Sequence, residues 1–235
     1  MSNFFHLVLI QPLLNALIWL YDIIPVHDLG LAIIALTILT RLILFPSFQK
    51  SLKSQKELQK LQPKLSELKN KFPNDKEAQT KATMELYKEH KINPFSSCLP
   101  LLLQLPILIA LYRVFFAGLK GQLTGELYSF VANPGTINTG FFGLMDLTRS
   151  SYVFGILAGA LQFIQSKMLT PKSLAGDKTT AMMNAQMVYF MPLITIVIAV
   201  RLPAGLALYW IVTTLFAIGQ QYYIMRKDNS NSATG

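Results

Sequence analysis

Arg41 has the least ordinary setting in the chain. It lies inside the apolar run from Leu29 to Pro46, GLAIIALTILTRLILFP from Gly30 on, which is long enough to cross a bilayer. A cation at the centre of a membrane helix costs roughly 2.5 kcal/mol or more, so an intramembrane Arg is a candidate functional group. The competing reading is a side chain near a helix end that lays its stem along apolar surface and reaches the headgroups. Leu42 to Phe45 continue the run past Arg41, and Thr37 shares its helix face one turn above; both favour a polar interior.

The other apolar runs hold few polar groups: Gln104 with Arg113, Gln162 with Gln165, Asn184 with Gln186, Thr195, and Thr213 with Thr214. None contains an Asp or Glu. This argues against a proton-coupled transporter, which needs titratable groups along its path. His6, His27 and His90 lie outside the runs, with no ligand spacing and no paired acid. A Ser-His-Asp arrangement at membrane depth is also missing, so neither intramembrane proteolysis nor another enzymatic activity finds support, and no metal or cofactor is implied. The single cysteine, Cys98, excludes an intramolecular disulfide framework. One fixed positive charge among neutral donors and acceptors can line a wet cavity that eases a polar segment of another chain into the membrane. The same glutamines can instead bond helix to helix, as membrane bundles do.

Charge placement identifies the elements that hold these groups. Long, nearly charge-free runs alternate with compact charged ones, the pattern of a polytopic helical membrane protein. The net charge of +9 does not indicate nucleic-acid reading, because eleven Lys fall between Gln49 and Ile92 and Lys167, Lys172, Lys178, Arg226 and Lys227 flank ends on the same side. Only Lys120, Arg149 and Arg201 fall on the other side, which places the Lys-rich side in the cytoplasm.

The expected fold is all-α, a five-span core with a cytoplasmic two-helix hairpin and an N-terminal amphipathic helix. Residues 1–27 hold that helix, for which an interfacial position is preferred over a spanning one, with Pro12 at its start and Trp19 and Tyr21 at headgroup level. Core span 1 covers residues 28–48 and the hairpin 49–92. In its first arm Leu58, Leu61, Leu65 and Leu68 form a narrow coiled-coil seam with a kink at Pro63. Phe72 to Asp75 form a turn, Asn74 caps the second arm with Glu77 in its first turn, and Ala78, Ala82 and Leu86 present its apolar face. Spans 2 to 5 lie within 93–225, at about 94–117, 151–169, 183–200 and 205–225, with an outside loop over 120–150. A short polar tail over 226–235 is expected to be disordered from Asp228. Pro94, Pro100, Pro106 and Pro192 imply bent spans.

Several stretches match a known family in order and spacing: QPLLNALIWL from Gln11, TRLILFP around Arg41, LQPKLSEL from Leu61, ELYKEHKINPFSSCLPLLLQLPILIALYRVF from Glu85, FIQSKM from Phe163 and LPAGLALYW from Leu202. The chain resembles the YidC-type membrane protein insertases, related to the mitochondrial oxidase-assembly and chloroplast Albino-type proteins. The resemblance implies a membrane insertase and chaperone with a hydrophilic groove open to the cytoplasm and to lipid. It makes Arg41 the groove's positive charge, with Thr37 on its face, Gln104 and Gln165 as groove-facing polar groups, and Tyr209 and Trp210 as substrate contacts. It implies nascent membrane proteins as substrates, a multi-pass location in the bacterial inner membrane, and a mobile hairpin that engages translocon, signal recognition particle or ribosome partners. The tail lacks the long basic extension with which some members hold ribosomes. A small-solute or anion channel is the rival reading; the single charge and odd number of spans count against it.

Overall fold

Proline and polar caps punctuate the helices of this chain, and the breaks they impose determine where Arg41 comes to rest. The computed structural model of the protein describes residues 4, 6–93, 99–113, 125–170, 182 and 185–233. Pro94, Cys98, Lys120, Asn184 and the basic residues Lys172 and Lys178 lie outside them.

Helix α1 (Gln11–Ile23) continues a π-helical turn, His6–Ile10, and has Pro12 in its first turn. The same arrangement recurs at α8 (Met191–Ala199), where the π-helical turn Gln186–Phe190 precedes Pro192. Proline cannot donate to the carbonyl four residues back, and the wider turn before it absorbs the mismatch. Helix α2 (Leu29–Ile43) starts at Asp28, whose carboxylate accepts from the Leu31 amide at 3.1 Å. Pro46 closes the run by breaking it at Leu44 and restarting it as α3 (Phe45–Lys60), bent from α2 by 67°. The first hairpin arm therefore begins at Phe45 rather than Gln49.

Pro63 acts in the same way. Instead of kinking one helix it separates α3 from α4 (Gln62–Lys71) at Leu61. The turn leads to α5 (Lys76–Glu89), whose cap is Asp75 and not Asn74: the Asp75 carboxylate accepts from the Ala78 amide at 2.9 Å, the reach of an N-cap side chain to the third helical residue. α4 packs on α5, half-burying Leu65, Leu68, Ala78, Ala82 and Leu86, and Lys64 Nζ lies 3.1 Å from His90 Nε2 across the open end.

Helix α6 (Leu99–Arg113) carries Pro106 inside it. Beyond it lies a two-stranded ribbon, β1 (Gly140–Phe141) paired antiparallel with β2 (Met145–Asp146). Helix α7 (Tyr152–Leu169) is capped by Ser151, which accepts from the Phe154 amide at 3.3 Å. The last helix, α9 (Ala204–Ala233), runs through the segment expected to be a disordered tail. Between Met225 and Ala233 there is no Gly or Pro to stop it.

The segment 125–150 closes the end of the bundle opposite the hairpin and is held by side chains of α1 and of the α2 cap. Asn15 Nδ2 donates to the Glu126 carbonyl at 2.9 Å and Asn15 Oδ1 accepts from the Tyr128 amide at 2.7 Å. Gln11 donates to the same carbonyl at 3.1 Å, Tyr21 accepts from the Asn138 amide at 2.8 Å, and Asp28 Oδ2 accepts from the Phe142 amide at 2.7 Å. Behind these bonds Leu14, Leu17 and Ile18 pack with Leu29, Ile33, Leu36, Leu111 and Tyr209 in one core. A second, smaller cluster joins Ala158, Ala199, Ala207 and Ile211 of α7, α8 and α9. There Gly155 and Gly159 let α7 approach α8 closely: a Cβ on Gly159 would stand 2.2 Å from Ile196 Cγ1 and 2.9 Å from the Pro192 carbonyl oxygen. Small residues four apart are the usual device for close helix contact in membranes.

Large apolar side chains face outward on α7, α8 and α9, among them Ile156, Leu193, Val197 and Leu215. An apolar exterior of that extent fits lipid. Two helices, His6–Ile23 and Tyr152–Leu169, are each long and apolar enough to cross a bilayer. Leu29–Ile43 reaches that criterion only together with the bent Phe45–Lys60, and Gln186–Ala199 is a shorter apolar helix.

Candidate functional site

Three helices converge on Arg41. It sits in the last turn of α2, three residues before the break at Leu44, and is only 8% exposed. Its Nε donates to Thr213 Oγ1 of α9 at 2.9 Å, and a terminal nitrogen donates to Gln104 Oε1 of α6 at 3.4 Å. The guanidinium lies over the Phe48 ring of α3, with the central carbon 4.2 Å from the ring centroid. Each contact offsets part of the cost of removing the cation from water: hydrogen bonds to a charged group contribute about 1.5–3 kcal/mol, and a desolvated cation–π contact about 2 kcal/mol. Among the described residues no carboxylate lies within ion-pair distance of Arg41. Among the described residues the charge is solvated by neutral groups, and no acid there compensates it.

Tyr209 completes this shell. Buried on α9 one turn before Thr213, it places its hydroxyl beside Thr213 and Gln104 without a well-aligned hydrogen bond. The remaining residues singled out in the sequence are placed differently. Thr37 is buried on the Arg41 face, but its hydroxyl donates back to the Ile33 carbonyl of its own helix at 2.6 Å. Trp210 points away from its neighbour Tyr209 and packs on the Ala158 and Ala199 cluster between α7 and α8. Gln165 is half-buried on α7, while Gln162, one turn earlier, accepts a short hydrogen bond from Thr195 of α8. For Gln162 the helix-to-helix reading therefore holds.

Sequence reasoning passed over Phe48, Ser51, Gln220 and Gln221. Gln220 Nε2 donates to the Phe45 carbonyl at 3.3 Å, at the α2–α3 break. Gln221 and Ser51 are buried with side-chain polar atoms that have no hydrogen-bond partner. The signal was present on α9, since Thr213 and Gln220, like Thr214 and Gln221, are seven apart and share a face. A polar column thus descends from Arg41 to the base of the hairpin. Phe48 had no such signal, because its position over Arg41 depends on the direction of the bend.

The comparisons with known proteins cover nearly the whole chain. The family model described as 60Kd inner membrane protein matches residues 19–231. The chain is 41% identical over 202 residues to a protein named membrane protein insertase YidC from Fusobacterium nucleatum subsp. nucleatum, a match spanning 86% of this chain and 88% of that one. It is 39% identical over 221 residues to the protein of the same name from Syntrophus aciditrophicus, covering 93% of this chain but only 36% of the longer relative. Other relatives are longer in the same way, and the chain spans 37% of the one from Geotalea daltonii. Among solved structures, one titled "Active YidC insertase crystal structure with the first transmembrane domain resolved" superimposes with a TM-score of 0.58 at 29% identity, covering 87% of this chain and 43% of that one. The uncompensated arginine between three helices, the apolar exterior and these matches agree: this chain is a helical membrane protein and belongs to the 60Kd inner membrane protein family, that of the YidC-type insertases.

Proposed function

We propose that the chain inserts membrane proteins into the bilayer, with Arg41 as the single positive charge of a hydrophilic groove. The observation that carries this reading is a buried guanidinium with neutral hydrogen-bonding partners and no carboxylate beside it among the described residues. Such a charge attracts an acidic segment of an incoming chain, because no acid among the described residues cancels it. Gln104, Tyr209 and Thr213, followed by Gln220 towards the hairpin, hydrate that segment. Thr37 and Gln165 serve the same groove at its margins, while Trp210 lies on the other side of α9.

In this reading the bundle is a five-span core in which α2, α6, α7, α8 and α9 belong to the spans, and α1 lies at the outer interface beneath the 125–150 segment. The Lys-rich hairpin and the C-terminus are cytoplasmic by the distribution of basic residues, and the hairpin meets targeting or translocation partners. No nucleotide is needed. Burial contributes about 0.8 kcal/mol per CH2 group, so the apolar span of the substrate supplies the driving force and the protein lowers the barrier for its polar part.

The test is insertion of a small single-span protein with an acidic outer tail into liposomes containing the purified chain. Efficient insertion by wild type and steep loss with Arg41→Glu is the expected result. Insertion no better than in protein-free liposomes, with the protein folded, rejects the reading. Arg41→Ala should impair substrates with acidic outer tails more than neutral ones; equal loss for both would show that Arg41 does not act by electrostatic recruitment.

A further inference from the structure

The base of the hairpin and the far end of the bundle enclose a groove of about 820 Å³ between α3, the end of α7, the π-helical turn before α8, and α9. Leu52, Leu169, Val188, Ile224 and Met225 make much of its wall apolar. Three lysines, Lys56, Lys60 and Lys167, line the same groove, and among the described residues no Asp or Glu does. Lys60 is paired with Glu57 at 2.7 Å on an open surface, where such a pair exchanges readily, and Lys167 lies 5.6 Å from the Phe163 ring centroid.

The depth of this groove is indicated by its neighbours. Tyr189 lines it, and Tyr222 and Tyr223 of α9 stand exposed beside it. Tyrosines with apolar bodies and polar tips gather where acyl chains give way to headgroups. Gln221 is a second, independent sign of an occupant. It lines the groove, is almost wholly buried, and among the described residues has neither a donor for its amide oxygen nor an acceptor for its amide nitrogen. Buried polar groups are rarely left unpaired in a finished structure.

We propose that this groove seats one acidic glycerophospholipid, with an acyl chain along Val188, Leu169 and Ile224 and the phosphate among Lys56, Lys60 and Lys167. Its ester carbonyl and a headgroup hydroxyl supply the acceptor and donor that Gln221 lacks. A lipid fits these features better than an acidic peptide, since the apolar wall and the cationic lining adjoin at headgroup depth. The site is separate from the Arg41 shell, so its failure would leave the insertion reading untouched.

The test is lipid retention by the full chain, reconstituted in nanodiscs of phosphatidylcholine containing a minor fraction of phosphatidylglycerol, then extracted and weighed by native mass spectrometry. Wild type is expected to retain one phosphatidylglycerol in preference to phosphatidylcholine. Each of Lys56→Gln, Lys60→Gln and Lys167→Gln should weaken that preference by about fivefold at low salt, and Gln221→Leu should weaken retention without changing its salt dependence. Circular dichroism and gel filtration establish that each variant is folded. Equal retention of the two lipids, or an unchanged preference in a folded triple lysine variant, would overturn the proposal. A photoreactive residue at Val188 that crosslinks to substrate polypeptide, with no lipid retained, would overturn it in favour of a peptide groove.

Discussion

The guanidinium carbon of Arg41 lies over the ring of Phe48, 4.2 Å from its centroid, across a helix break that turns the chain by 67°. The contact places the cation on the ring while Nε is committed to Thr213 and a terminal nitrogen to Gln104. Arg41→Lys keeps the charge but loses both the plane and the fork of donors. We expect it to retain more insertion of acidic-tailed substrates than Arg41→Ala and to be less stable than wild type. Thr213→Val should lower stability by about 1–3 kcal/mol, the cost of leaving a charged donor unpaired, as read from thermal unfolding in detergent.

Asn15 supports three contacts at once, donating to the Gln11 and Glu126 carbonyls and accepting from the Tyr128 amide. Asn15→Leu preserves the volume and strands the Tyr128 amide. The expected loss is about 2–4 kcal/mol, with proteolysis of the 125–150 segment accelerating before the bundle unfolds. Unaltered proteolysis would mean that this segment is held by its apolar contacts alone.

Gly159 separates α7 from α8 by less than a methyl group, so Gly159→Val must push Ile196 and the Pro192 carbonyl apart. Overpacking of this kind costs typically about 1–3 kcal/mol. Helix pairing should weaken, read as a lower unfolding midpoint, while Gly219→Ala on α9, where a Cβ meets nothing within 4 Å, should leave the midpoint close to wild type.

Asp146 at the end of β2 has its carboxyl pKa lowered, first by the Thr148 amide, against some opposing burial, with the Thr148 and Thr139 hydroxyls and nearby Arg149 adding to the effect. A depressed folded pKa contributes stability that is present above the unfolded value of 3.8 and lost as pH falls through the lower folded value. Order in the ribbon should therefore be constant near neutrality and decline below about pH 4. Asp146→Asn should remove that dependence, as followed by hydrogen exchange at Thr148.

Much of this arrangement was legible in the chain. Arg41 was conspicuous because a charge in an apolar run has few explanations, and Gln104 and Tyr209 came with the motifs around them. The prolines marked every break, but not whether a new helix begins there: Pro46 and Pro63 each restart one, because a proline in the first turn costs nothing. Asn74 and Asp75 are both good caps, and one residue of register decided between them. Trp210 was grouped with Tyr209 although adjacent helical residues point about 100° apart, which put one on the Arg41 shell and the other between α7 and α8. Phe48 could not have been found without the angle at Leu44.

Four of the side chains that fasten the 125–150 segment have a property in common. Gln11, Asn15, Tyr21 and Asp28 all reach peptide groups of that segment, at Glu126, Tyr128, Asn138 and Phe142, rather than its side chains. The fastening reads the path of the chain and is blind to most of its letters. Substitutions can accumulate at the exposed positions of this stretch without releasing it, provided the buried Val131 and Leu147 and the Glu126 carboxylate paired with Arg113 are kept, whereas a one-residue insertion would move these peptide groups out of reach. Tolerance to replacement and intolerance to changes in length should therefore coexist in the same loop.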